Sequence, residues 1–78
     1  MSDLQSLHHK YRWEMRPIME MLKHKQSELK TADWIRLVRQ TEQKVIESPD
    51  QYLTRLPQKE ILDSLVHSLF NEFIEETS

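Results

Sequence analysis

Five residues of this chain, His9, Trp13, Arg16, Glu20 and His24, follow one another at steps of four, three, four and four. On a continuous helix, side chains three and four positions apart lie on one face, so these five form a single outward line. The line combines an indole, a guanidinium, a carboxylate and two imidazoles. Tryptophan and arginine together are the chemistry of binding hot spots, so the line is expected to contact another protein. Trp13 falls nearly opposite the apolar stripe of Leu4, Tyr11, Ile18 and Leu22. Either it faces a partner, or a bend at Pro17 turns it inward, or a second subunit covers it.

The four histidines raise metal binding, because Glu20 and His24 are one turn apart and His8, His9 and His67 could approach them. The spacing argues against a site. There is no His-x-x-x-His or His-Glu-x-x-His pair, and adjacent His8 and His9 diverge by about 100° on a helix. Neither metal nor cofactor is expected. Catalysis is not expected either: the chain has no cysteine nucleophile, no glycine-backed serine elbow and no carboxylate pair flanking an obvious pocket. The reading is of a protein that is not an enzyme.

The elements that would carry this line are helical. The chain contains no glycine, three prolines and 31% charged residues, a composition without the backbone freedom for a phosphate loop or a tight hairpin. Ser2 and Gln5 form a capping-box pattern, which starts a first helix at about 3 and carries it to about 30. Leu4, Leu7, Tyr11, Met15, Ile18, Leu22 and Leu29 keep helical phase through Pro17, which predicts one kinked helix; the alternative is two short helices meeting near Arg16. Thr31 is expected to cap a second helix over about 32–47, with Trp34, Val38, Thr41 and Val45 on its inner line. Ser48-Pro49-Asp50-Gln51 predicts a short turn near 49–53. A last helix is expected over about 57–75, where Ile61, Leu62, Leu65, Val66, Leu69, Phe70, Phe73 and Ile74 crowd together.

Those apolar residues cover more than half of the wheel, more than one neighbouring helix can shelter. A central position for the last helix would bury them. The other outcome is a twofold dimer interface formed by Phe70, Ile74, Leu62 and Val66. A chain of 78 residues has a marginal core by itself and no cysteine for a disulfide, which favours self-association.

Formal charge is −2, unevenly spread: residues 1–46 hold nine Lys/Arg against six Asp/Glu, and residues 47–78 hold two against seven. Halves of opposite sign are expected to pack on each other, within one chain or across a dimer. A nucleic-acid interface on the N-terminal region is the alternative. Its cations, Lys10, Arg12, Arg16, Lys23, Lys25, Lys30, Arg36, Arg39 and Lys44, are interrupted by Glu14, Glu20, Glu28, Asp33 and Glu42, which dilutes the field. No apolar run is long enough to span a membrane, and no apolar leader follows a basic start. The expectation is a soluble, cytoplasmic protein.

The reading is an all-α single domain over 1–78, a small three-helix bundle with core residues Leu7, Tyr11, Ile18, Leu22, Trp34, Val38, Val45, Leu62, Leu65, Leu69 and Phe73, in homodimeric form. Its expected function is that of a small regulatory or adaptor protein acting by protein–protein binding. The alternatives are a dimeric nucleic-acid-associated protein and a structural assembly subunit.

Overall fold

The computed structural model describes residues 3 to 77, with side chains from residue 5 onward. Ser2 of the expected capping box and the side chain of Leu4 lie outside that range. Every regular element among the described residues is helical: α1 (Asp3–Glu14), α2 (Arg16–Gln26), α3 (Thr31–Glu47), a 3₁₀ turn at Pro49–Gln51, and α4 (Lys59–Thr77). There are therefore four α-helices among the described residues rather than three.

The extra count comes from Met15. Pro17 has no N–H for the carbonyl of Trp13 and disfavours helical geometry in the residue before it. The chain absorbs this one step earlier, at Met15, whose ψ of 5° departs from the helix. Hydrogen bonding nevertheless crosses the break, with the Met15 amide donating to Tyr11 and the Met19 amide to Met15, both at 3.0 Å. Pro17 thereby sits in the first turn of α2, where a missing N–H costs little. α2 also ends at Gln26 instead of near Lys30. The Ser27 hydroxyl donates to the His24 carbonyl at 3.0 Å and the Glu28 amide to Lys25 at 3.0 Å, which closes the last turn with no positive-φ residue.

α3 starts one residue earlier than its sequence suggests. Lys30 takes the cap position with extended backbone and makes no side-chain cap bond, and its carbonyl receives the Trp34 amide at 2.8 Å. Pro57, expected at the start of the last helix, lies two residues before α4, whose first turn is drawn from Gln58 by amides of Ile61 and Leu62.

α3 packs against α4, α2 and the 3₁₀ turn, while α1 packs against α2 and α4. The molecule measures 37 × 27 × 18 Å, so its thickness is about two helix diameters and one apolar layer fills it. Tyr11, Met15, Met19, Leu22, Trp34, Val38, Val45, Leu53, Leu65, Val66, Leu69, Phe70 and Phe73 form that layer, with Leu7, Ile18 and Leu62 packed partly against it. The Trp34 and Phe73 rings meet at 5.8 Å with a 46° tilt, a favourable aromatic geometry.

Two helices flanking α4 account for its wide apolar arc. Phe70 is fully enclosed and Val66 nearly so within this one chain, so neither can face a second copy without opening the core. Leu62 and Ile74 are half-buried; of the four residues expected at a twofold interface, they alone retain surface.

The opposite charges of the two halves meet inside the chain. Arg12 of α1 donates to Glu72 at 2.9 Å and to Glu76 at 2.5 Å, both on α4, and His8 stands 3.5 Å from Glu72. The α2 and α4 ends are joined by Gln26, whose amide donates to the Thr77 carbonyl at 2.8 Å.

Candidate partner-binding site

The break at Met15 decides what the N-terminal arm shows to solvent. His9, Trp13, Arg16, Glu20 and His24 are all exposed. Trp13 is 65% exposed, so the bend does not turn it into the core. The guanidinium of Arg16 lies 4.8 Å from the centre of the Trp13 ring, an arrangement in which the ring's negative face attracts the cation. Such stacking favours one posture of both side chains, and a pair ordered beforehand loses less entropy when something docks on it.

The five residues border a run of adjoining surface depressions. His9, Arg12, Trp13 and Arg16 line one of about 220 Å³. Trp13, Arg16, Pro17 and Glu20 then share a larger cleft of about 500 Å³ with Tyr52 and Thr54, which come from the connector after the 3₁₀ turn. Glu20 and His24 line a third with Met21, Lys25 and Glu28. Trp13, Arg16 and Glu20 are thus brought together, whereas His9 and His24 stand at opposite ends of the line.

Glu14 fixes the far wall of the large cleft. It accepts from the backbone amide and the hydroxyl of Thr54, both at 2.8 Å. Burial pushes its carboxyl pKa up, but the Thr54 bonds, the nearby Lys10 charge and the Arg55 amide outweigh this and hold it below the ordinary glutamate value. The connector is pinned to α1 across forty residues of sequence. Tyr52 and Thr54 carry no helical periodicity, and nothing in the pattern of residues announces that they border the Trp13 cleft.

A second polar cluster also lies outside sequence reasoning. Glu42 on α3 is only 8% exposed, and both of its oxygens are engaged: one accepts from Arg39 at 2.8 Å and the other is 2.8 Å from Nδ1 of His67 on α4. Arg39 reaches on to the Asn71 side-chain oxygen at 2.7 Å. Arg39 and Glu42 are three apart, a visible local pair; His67 and Asn71 are supplied by packing alone. The cluster seals the α3–α4 seam, satisfying a carboxylate that burial would otherwise make costly.

Among the described residues, no three His, Cys, Asp or Glu side chains are grouped so as to hold a metal ion, and no helix is long and apolar enough to cross a membrane. Comparison with protein-family models, with curated proteins and with solved structures finds no match for this chain, so its site has to be read from its own geometry.

Proposed function

We propose that the chain is a small regulatory or adaptor domain that binds another protein through the surface formed by His9, Trp13, Arg16, Glu20 and His24, and acts by occupying its target rather than by catalysis. The observation that supports this is Trp13: a large ring left outside an otherwise well-filled core, stacked with Arg16, at the rim of a cleft of about 500 Å³. A side chain with that much apolar area stays exposed at the cost of its burial energy, a cost that docking would recover.

The reading is tested by affinity capture from the native host with the wild-type chain and with Trp13→Ala, Arg16→Ala and, as a surface control on α3, Ile35→Ala. Circular dichroism confirms that each variant is folded. A partner lost with the first two and retained with Ile35→Ala supports the proposal, with a loss of about 2 kcal/mol expected for a hot-spot tryptophan. Equal retention by all three variants removes it.

A further inference from the structure

The Trp13 cleft has a chemistry of its own. Its walls are the exposed Trp13 ring, the Pro17 ring and the half-buried Tyr52, and two carboxylates, Glu14 and Glu20, line it against a single guanidinium, that of Arg16. Among the lining side chains alone the balance is acidic by one charge, with Lys10 close enough to Glu14 to act on it. Glu14 is committed to Thr54. The Glu20 carboxylate makes no hydrogen bond or ion pair among the described residues, and the Tyr52 hydroxyl and the Trp13 indole N–H make none either. An aromatic wall beside an uncommitted carboxylate attracts cations twice over, through the ring quadrupole and through charge. Arg16 already demonstrates the first attraction from within the chain, at 4.8 Å.

We infer that this cleft receives a lysine or arginine side chain of a basic peptide segment on the partner, with the cation packed against the Trp13 and Tyr52 rings and its N–H groups directed at the Glu20 carboxylate. The inference rests on the binding surface proposed above and names the chemistry of what binds there. Charge complementarity selects this occupant. An acidic segment would meet Glu20 and Glu14 head on, and a purely apolar one would strip water from Glu20 without giving it a partner.

The two tryptophans make the test self-controlled. The Trp34 indole N–H is buried and donates to the Leu22 carbonyl at 2.6 Å, so its NMR signal reports only the fold, while the Trp13 indole signal reports the cleft. The full chain is titrated with blocked Gly-Ser nonapeptides that carry one central arginine, lysine, glutamate or norleucine. The expected result is a saturable shift of the Trp13 indole signal with the arginine and lysine peptides alone. Trp34 stays in place throughout. Glu20→Gln weakens that binding about tenfold, the scale of one charge-assisted hydrogen bond lost. Equal shifts from the glutamate or norleucine peptides, an unchanged affinity in Glu20→Gln, or no shift from any peptide overturns the inference. Loss of the captured partner with Trp13→Ala together with such a result leaves the binding surface standing and removes only the cationic ligand; retention of that partner removes the surface itself.

Discussion

The indole N–H of Trp34 and the backbone carbonyl of Leu22 meet at 2.6 Å inside the core, tying the first turn of α3 to the body of α2. The chain thus uses its two tryptophans oppositely. One is a donor that satisfies a buried carbonyl and packs on Phe73; the other lies outside with a cation on its face.

Trp34→Phe keeps a ring in the core but deletes the donor and leaves unfilled volume. It is expected to destabilise the fold by about 2 kcal/mol, adding a lost buried hydrogen bond to a packing defect. Urea unfolding measures this. A change within the ±0.5 kcal/mol or so typical of surface sites would show that the bond contributes nothing.

The clasp between α1 and α4 predicts a dependence on acid. Glu76 has its pKa lowered chiefly by the Arg12 hydrogen bond. Its folded form therefore holds a proton less readily than the unfolded chain does. The stability this provides is complete above the unfolded carboxylate value and drains away as pH falls through the lower folded one. Arg12→Gln should cost about 1 kcal/mol at neutral pH, discounted for the half-exposed glutamates. The gap between wild type and variant should narrow in molar salt and below about pH 4. Thermal melts of both proteins across pH decide it; a gap independent of pH and salt would assign the Arg12 contribution to packing instead.

Phe70→Ala separates core from interface. Enclosed in a single chain, Phe70 should cost about 3–5 kcal/mol when truncated, a large share of the stability of a chain this small. Loss of the circular dichroism signal, or a greatly lowered melting temperature, is expected. A stable, folded variant that merely sediments more slowly than wild type would place Phe70 between subunits.

Much of the architecture is legible in the order of residues. Leu22, Trp34, Val38, Val45, Leu65, Leu69 and Phe73 recur at helical spacing and are all buried, because each lies at the centre of an apolar stripe where any neighbour would cover it. Met19 and Phe70 are equally buried yet sit at stripe margins, where burial depends on which helix stands beside them. The break at Met15 is legible as a conflict at Pro17, but not its place, since the departure from helical geometry falls on Met15 and not on Arg16, the residue before the proline. On the surface, Trp13 beside Arg16 is a three-residue step that any helix brings together. Tyr52 and Thr54 reach the same cleft through the bond of Thr54 to Glu14, a contact between distant segments for which local spacing has no signature.

The interruption at Met15 also has a mechanical result. Trp13 belongs to the segment before that joint and Glu20 to the segment after it, while Arg12, one residue from Trp13, grips the far end of α4. The cleft of about 500 Å³ that both residues border therefore straddles the joint, and the arm that carries Trp13 into it is held against α4 by Arg12.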